Sequence, residues 1–299
     1  ILLIVFLIFI NLFIQNKKEG LENIISKKQY FLGLITRCKD EFFIKEFCDY
    51  YLSQGVDKIY IIDDDSIDKT IYSNIRDKRV EIIYTKKYFK VKNQMDEVNK
   101  LYKQIKQNFE WIISVDVDEF ITTKKNINNT IRDELKTTFN NVDCIKIPWV
   151  MMSSNGIEKN PESILKTNVY RWNHNKQHPY PKDYRKFRCR YNEIEIKCIF
   201  KPDKFDYIDV HNPKNPYKSV KIVNSINKNY EKLNHIYNNL RENDIKNGYL
   251  LCYHYRIISK ENNINKLNKA QYIKYTLEDL NNSDYAEIKD EMLKKKIIK

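Results

Sequence analysis

The sequence turns from apolar to acidic at residues 111–120, which read Trp-Ile-Ile-Ser-Val-Asp-Val-Asp-Glu-Phe. The apolar half predicts a buried β-strand, because continuous apolar runs are typical of strands covered on both faces. In an open α/β sheet, ligands bind outside the carboxyl ends of the strands, so these carboxylates stand where chemistry is expected. Asp116 and Asp118 are two residues apart and point the same way in an extended chain. This spacing suits one divalent cation, and oxygen ligands favour magnesium or manganese over zinc.

The same pattern has a purely structural alternative, because aspartates are also common in turns and at helix N-caps. A second acidic cluster favours a functional interpretation. Residues 59–70 read Ile-Tyr-Ile-Ile-Asp-Asp-Asp-Ser-Ile-Asp-Lys-Thr, again an apolar run that ends in carboxylates. Two strands with acidic ends predict one shared polar crevice.

The segments around these two runs alternate between strand and helix patterns. Residues 30–35 are an apolar strand candidate, and residues 42–52 repeat apolar side chains at helical spacing until Gly55, a candidate C-cap. Residues 80–84 predict another strand, and residues 94–107 predict a weakly amphipathic helix. This alternation predicts an α/β fold with a mostly parallel sheet flanked by helices.

Several motifs together resemble those of the GT-A glycosyltransferases, and more narrowly those of the family 2 and family 92 glycosyltransferases. The first half carries Thr-Arg-Cys-Lys-Asp-Glu at 36–41, Gln-Gly-Val-Asp at 54–57, the acidic segment at 61–68 and Val-Asp-Val-Asp-Glu-Phe at 115–120.

The second half adds a tryptophan with a small polar loop at 148–156, where Met151 and Met152 replace the Phe-Gly usual in that group. Two late histidine motifs follow, at 197–213 and 254–261. The resemblance covers about residues 31–270. It implies one Rossmann-like GT-A catalytic domain, which we expect at residues 30–275.

The resemblance implies a metal-dependent glycosyltransferase. Such an enzyme moves a sugar from a nucleotide-sugar donor, with UDP-sugars favoured, to a glycan, protein or lipid acceptor. The implied cofactor is Mn²⁺ or Mg²⁺, which would neutralise the departing diphosphate. Asp118 is the expected direct ligand, Asp116 lies nearer the ribose or the water shell of the metal, and His211 completes the site. The implied catalytic residues are Asp116, Asp118 and Glu119.

The same resemblance implies two binding regions. We expect the acceptor to meet an aromatic face and small polar groups at Trp149, Ser153, Ser154 and Asn155. The nucleotide-sugar pocket is expected to be lined by Thr36, Arg37, Glu41, Asp63, Asp65, His254 and Lys260.

Structural alternatives exist for some of these residues. Arg37 and Glu41 could form an ordinary surface pair, while His254 and Trp149 could be core residues. An inverting transferase needs a carboxylate to accept the proton of the acceptor hydroxyl. Glu158 and the segment 183–195 offer candidates for that base, and the sequence does not choose among them.

Composition fits one large α/β domain, since 299 residues with 42% hydrophobic content can bury a substantial core. The formal charge of +13 raises the question of nucleic-acid binding. The lysines are scattered, however, and no zinc-finger, RNP or helix-turn-helix motif accompanies them. We therefore expect no nucleic-acid partner.

The amino-terminal residues 1–14 are apolar except for Asn11, and Lys17 and Lys18 follow. The segment is shorter than the about 20 residues that span a bilayer. We interpret it as the remnant of a signal anchor, with a linker or stem at 15–29 and a charged helical tail at 276–299. The expected location is a membrane of the secretory pathway or of a virus or its host, with a single-pass topology. Without an anchor the expected location is the cytoplasm.

Two other functional classes compete with glycosyl transfer. A phosphatase of the haloacid dehalogenase type also uses Asp-x-Asp at a strand end, with Asp116 as the nucleophile. A basic, non-catalytic membrane-surface protein would explain the net charge but neither acidic strand end. The six cysteines show no zinc spacing, and we expect buried free thiols.

Overall fold

The computed structural model describes residues 28–85, 95–176, 194–230, 233–268 and 275–297. The strands are β1 (Tyr30–Cys38), β2 (Lys58–Asp63), β3 (Val80–Tyr84), β4 (Phe109–Ser114), β5 (Glu119–Thr123), β6 (Cys144–Ser153), β7 (Tyr170–Arg171), β8 (Ile194–Phe200), β9 (Phe205–Ile208), β10 (Pro213–Pro216), β11 (Ile222–Asn224), β12 (Tyr237–Asn238), β13 (Leu250–His254) and β14 (Ile288–Lys289). The helices are α1 (Ile44–Ser53), α2 (Asp96–Ile105), α3 (Ile131–Lys136), α4 (Ile164–Thr167), α5 (Glu242–Asn247), α6 (Lys260–Asn268), α7 (Leu277–Asn281) and α8 (Met292–Ile297).

The central sheet runs in the order β3-β2-β1-β4-β8-β6. The first four of these strands are parallel to one another, whereas β8 is antiparallel to both β4 and β6. The carboxyl ends of β1, β2 and β4 therefore meet at one edge. The expected α/β sheet flanked by helices is confirmed, with β8 as the reversed strand.

Apolar side chains alternate between the two faces of this sheet, as the pleat of a strand requires. Leu34, Ile61 and Ile113 pack with α1 on one face. Tyr60 and Ile112 pack with α2 on the other face. Burial on both faces explains why these strands have nearly continuous apolar sequences.

Gly55 closes α1 as the sequence predicts. Its φ of +89° lies in the left-handed region that glycine adopts easily, and its N–H donates to the carbonyl of Leu52 at 3.2 Å. The chain then turns directly into β2, so the helix packs on the face of the sheet between β1 and β2.

A second group of strands extends the sheet beyond β6. β13 runs parallel to β6 and antiparallel to β5, and this pairing sets His254 opposite Glu119. The loop between β4 and β5 is the acidic turn at Asp116 and Asp118. β13 therefore brings a histidine from late in the chain to that turn.

The carboxyl-terminal segment joins the fold instead of trailing from it. β14 pairs with β7, and Met292 and Leu293 of α8 are buried. Helical structure is present at α7 and α8, within the tail predicted for 276–299. The domain boundaries themselves stay predictions.

The expected anchor at 1–14 and nearly all of the linker at 15–29 lie outside the described residues. Across the ranges that are described, no helix combines the length and apolar character needed to cross a bilayer. The free-thiol prediction is confirmed for Cys38, Cys48, Cys144, Cys198 and Cys252, which are buried and unbridged. Cys189 lies outside the described residues.

Candidate functional site

Arg37 connects the two acidic strand ends. Its Nη1 lies 3.4 Å from Asp64 Oδ2, and its Nη2 lies 4.0 Å from Asp116 Oδ1. The strand register causes this arrangement, because Cys38 of β1 pairs with Asp63 of β2. The structure thus brings both acidic clusters to one edge of the sheet, where the guanidinium of Arg37 lies between them.

The three consecutive aspartates after β2 have different environments. Asp63 is fully buried and accepts hydrogen bonds from the Tyr72 hydroxyl at 2.7 Å and from Lys69 Nζ at 2.9 Å, so it stabilises its own loop. Asp65 is exposed and adopts a φ of +58°. Asp64, which the sequence analysis did not select, is the member that contacts Arg37.

The protonation of Asp64 is also unusual. Burial raises the pKa of this carboxyl to about 6, although Arg37 and Lys39 act in the opposite direction. Asp64 is therefore an acid that changes charge near neutral pH beside the crevice.

Lys197 of β8 binds Asp116 from the interior of the protein. Its buried Nζ donates to Asp116 Oδ2 at 2.8 Å and to the Val210 carbonyl at 2.9 Å, and it lies 3.3 Å from Glu119 Oε2. Burial opposes ionisation of Asp116, but Lys197 and then Arg37 keep the pKa of Asp116 below its usual value. Asp116 is consequently an ionised carboxylate with a fixed orientation.

Glu119 lies beneath the turn and does not face the crevice. It is fully buried, and its Oε2 accepts the backbone N–H of Asp116 at 2.8 Å. Burial, with Asp116 and Asp118 nearby, raises the pKa of Glu119 despite the opposing effect of Lys197. These contacts make Glu119 a residue that positions the turn.

Asp118 contacts a histidine and a lysine from the end of the chain. Its Oδ1 lies 3.6 Å from His254 Nε2, and its Oδ2 lies 3.3 Å from Lys266 Nζ. Lys266 also lies 3.0 Å from Glu41 Oε1. Burial opposes ionisation, yet Lys266 and then His254 hold the pKa of Asp118 far below its usual value. The predicted Glu41 thus reaches Asp118 through Lys266.

Trp149 forms one wall of this region and is itself 3% exposed. Its ring centroid is 4.3 Å from that of His254 and 5.6 Å from that of His211, and the Arg256 guanidinium lies 5.5 Å from it. Among the described residues its Nε1 has no hydrogen-bond partner. Trp149 is therefore both a core residue and a neighbour of the site.

The predicted acceptor loop divides into buried and exposed parts. Ser154 donates its hydroxyl to Asp284, and its backbone N–H binds the same carboxylate at 2.8 Å. Ser153 is buried and accepts the N–H of Asn155 at 2.9 Å. Asn155 is exposed at the loop tip with a φ of +53°. Of these residues, Asn155 is the one that solvent reaches.

A small crevice opens beside Asp116. Its polar lining comes from Thr36, Arg37, Ser114, Asp116 and Lys197. Sequence reasoning did not select Lys197, although a lysine inside the apolar strand Ile-Glu-Ile-Lys-Cys-Ile-Phe is a signal, because lysines are rarely buried without a partner. It also did not select Lys266, for which the sequence offers no comparable signal.

A divalent cation fits the donor chemistry beside Asp118. His254 is nearly fully buried, and burial lowers the pKa of its imidazole, which favours the neutral form that binds metals. Its Nδ1 has no hydrogen-bond partner among the described residues. Within the same part of the chain, no three His, Cys, Asp or Glu side chains form a metal-binding group, so substrate or water would supply further ligands.

His211 also packs against Trp149, with ring centroids 5.6 Å apart. Its Nδ1 is 3.0 Å from the Ile196 carbonyl, and its Nε2 is 3.5 Å from Glu195 Oε1. Burial, and then Lys197, lowers the pKa of His211 to about 4. His254, and not His211, is the histidine beside Asp118.

Comparison with known proteins gives one family. The family model described as glycosyltransferase family 92 matches residues 39–295. No curated protein matches the chain. This match favours glycosyl transfer over the phosphatase and the non-catalytic alternatives.

Three of the solved structures that are similar to this chain have low TM-scores. A 4-diphosphocytidyl-2C-methyl-D-erythritol synthase from Anaerococcus prevotii has a TM-score of 0.32 and 11% identity, covering 73% of this chain and 93% of its own. HddC from Yersinia pseudotuberculosis has a TM-score of 0.34 and 11% identity, covering 67% and 92%. A putative glucose-1-phosphate thymidylyltransferase from Bacillus anthracis, in complex with a sucrose, has a TM-score of 0.29 and 10% identity, covering 85% and 81%. Similarity at this level carries no conclusion about activity.

Proposed function

The chain belongs to glycosyltransferase family 92, and from this premise we propose that it transfers a sugar from a UDP-sugar to a glycan, protein or lipid acceptor with Mn²⁺ or Mg²⁺ as cofactor. The observation that carries the proposal is the set of cations around the Asp-x-Asp turn. Arg37, Lys197 and Lys266 lie at the carboxyl edge of the sheet within 4.0 Å of Asp116 or Asp118. Such an edge suits an anionic nucleoside diphosphate.

The metal would be held by Asp118 and His254. A cation there neutralises the charge that develops on the departing diphosphate. We propose His254 instead of His211 as the metal-binding histidine, because His254 Nε2 lies 3.6 Å from Asp118 Oδ1.

The nucleoside would occupy the crevice beside Asp116. Lys197 fixes one oxygen of that carboxylate, which leaves the other to accept a hydrogen bond from a ribose hydroxyl. Thr36 and Arg37 line the same crevice, and Asp64 forms an ion pair with Arg37. We propose Asp64 instead of the buried Asp63 as the acidic residue that faces the nucleotide.

The acceptor would approach from the loop after β6. Asn155 is exposed there, while Trp149 closes the wall behind His254. Glu158 lies on the same loop and pairs with Lys260 of α6 at 3.2 Å. It is a candidate for the base.

A thermal-shift panel of the full chain tests this proposal. UDP, GDP and CMP are added with and without Mn²⁺, because a ligand that binds the folded state raises its apparent stability. We expect Mn²⁺-dependent stabilisation by UDP, and its loss in an Asp118→Asn variant. An Asp49→Asn variant serves as the control, since Asp49 is exposed on α1, where it pairs with Lys45. Stabilisation by none of the nucleotides would contradict the proposal.

A further inference from the structure

Lys266 is one of the cations around the Asp-x-Asp turn, but the function proposed so far gives it no specific contact with the donor. Its side chain is 6% exposed, and its Nζ is 3.3 Å from Asp118 Oδ2 and 3.0 Å from Glu41 Oε1. A lysine is almost never buried unless its charge is paired, and here two carboxylates pair it. Lys266 is also closer to Asp118 than His254 is.

The other lysine of α6 has the opposite environment. Lys260 is 51% exposed and pairs with Glu158 at 3.2 Å, on the loop after β6. The first turn of α6 is fixed to that loop, because the N–H of Lys260 donates to the Ile157 carbonyl at 2.9 Å. Six residues on a helix turn the side chain by roughly 240°, so Lys266 points elsewhere. The helix thus directs one lysine to the loop and the other to Asp118.

A lysine on Asp118 is hard to reconcile with a metal on the same carboxylate. Both are cations, and two cations within a few ångströms repel each other strongly in a partly buried site. If a nucleoside diphosphate bound with its metal, Asp118 would serve as a metal ligand, and the phosphates would bring new negative charge. The lysine stem is flexible and its ammonium carries three donors, so Nζ can turn to a phosphate oxygen while it stays near Glu41.

We propose that Lys266 is a diphosphate-binding residue, which neutralises Asp118 in the empty site and moves to the phosphates when the donor and its metal bind. This inference rests on the proposed function. It adds a named contact to the donor and an exchange of partners at Asp118. Glu41 would keep the ammonium at the edge of the site throughout.

Calorimetric titration of UDP and of uridine, each with Mn²⁺ present, tests the contact. The Lys266→Met variant is compared with Lys266→Arg and with Lys100→Met, a control on the exposed face of α2, where Lys100 pairs with Glu97. A charge-assisted hydrogen bond to phosphate predicts that Lys266→Met weakens UDP binding about tenfold or more. Uridine has no phosphates, so its affinity should not change. Lys266→Arg should retain most of the UDP affinity, and Lys100→Met all of it.

Titration with Mn²⁺ alone tests the exchange. If Lys266 competes with the metal for Asp118, Lys266→Met binds Mn²⁺ more tightly than the unchanged chain. An equal loss for UDP and uridine would show a structural role and overturn the inference, as would unchanged UDP binding or unchanged Mn²⁺ affinity. Failure of the unchanged chain to bind UDP would overturn the proposed donor and the inference with it, so the two failures are distinguishable.

Discussion

Lys197 supports the acidic turn from inside the protein. Its side chain is 2% exposed, and its three oxygen contacts come from Asp116, Glu119 and Val210. Burial alone would lower the pKa of a lysine, but Asp116 and Glu119 raise the pKa of Lys197 above its usual value. The cation is therefore permanent, and it fixes the carboxylate that we propose to face the ribose.

Replacing Lys197 with Met should destabilise the chain by about 1–3 kcal/mol. The substitution keeps the side-chain volume but leaves the carboxylates without their shared donor. Urea unfolding measures the loss as a lower midpoint. Lys201→Met is the control, because Lys201 follows the same strand but lies 3.9 Å from Asp143 near the surface. Equal midpoints for the two variants would contradict this account of Lys197.

At the scale of elements, β1 and β4 approach closely at Gly33. A Cβ added there would lie 2.7 Å from Cδ1 of Phe109, whose ring is fully buried and stacks on Tyr30 with centroids 5.2 Å apart. Gly33 therefore lets the ring pack over the backbone of the neighbouring strand. The pairing of β1 with β4 sets the distance between Arg37 and Asp116.

Gly33→Ala should destabilise the chain by about 1–3 kcal/mol, the usual cost of overpacking a core. The double variant Gly33→Ala/Phe109→Leu should recover part of the loss, because leucine leaves room for the added methyl group. Urea midpoints of the single and double variants measure the coupling. Purely additive effects would show that the two side chains do not meet.

His174 makes the contact between β6 and the segment after β7 depend on pH. Its Nε2 accepts the N–H of Met151 at 3.4 Å, which requires a neutral ring. Burial, and then Arg171, lowers the pKa of His174 to about 3. The unfolded chain, with an ordinary histidine pKa near about 6.5, binds more protons below that pH. The contribution of His174 to the free energy of unfolding is thus complete above about pH 6.5 and is lost as the pH falls.

We expect His174→Gln to flatten the fall in stability between pH 6.5 and pH 4.5. The histidine contributes a slope of at most about 1.4 kcal/mol per pH unit over this window. His211 acts with the same sign and Asp64 with the opposite sign, but both are common to the two chains being compared. Urea midpoints at several pH values measure the difference. Identical slopes would mean that His174 protonates in the folded state without penalty.

At the scale of the whole molecule, one buried carboxylate joins the end of the chain to the sheet. Asp290 accepts from Arg171 Nε at 2.9 Å and from the Tyr253 hydroxyl at 3.0 Å, and Lys124 lies 3.3 Å away. Tyr253 precedes His254 on β13. The carboxyl-terminal segment therefore supports the strand that carries the proposed metal-binding histidine.

Asp290→Ala should destabilise the whole chain by about 3–5 kcal/mol, because it leaves the buried Arg171 without one of its two carboxylate partners. The expected result is a large fall in the urea midpoint. Glu291→Ala is the adjacent control, since Glu291 pairs with surface lysines and should leave the midpoint unchanged. If both variants unfold at the same urea concentration, the segment does not hold the fold in this way.

Much of the fold follows from local pattern. β3 begins and ends where the apolar run predicts it, and the predicted helix over 42–52 is α1 at Ile44–Ser53. The end of the apolar run also predicted correctly that the acidic turn lies at the edge of the sheet. A buried parallel strand has a continuous apolar sequence, so its end is visible in the sequence. The reversed direction of β8 was not predictable, since an apolar strand has the same pattern in either direction.

The sequence by itself determined the fold class, the acidic turn at Asp116 and Asp118, and, through several motifs in order, the resemblance to a glycosyltransferase family. Local spacing and motif order carry that information. Only the tertiary structure decided that Asp64 and not Asp63 faces Arg37, that His254 and not His211 lies beside Asp118, and that Lys197 and Lys266 occupy the site. The reason is that each of these contacts joins elements far apart in the chain, so strand register and helix orientation fix them, and neither is written in the local pattern of residues.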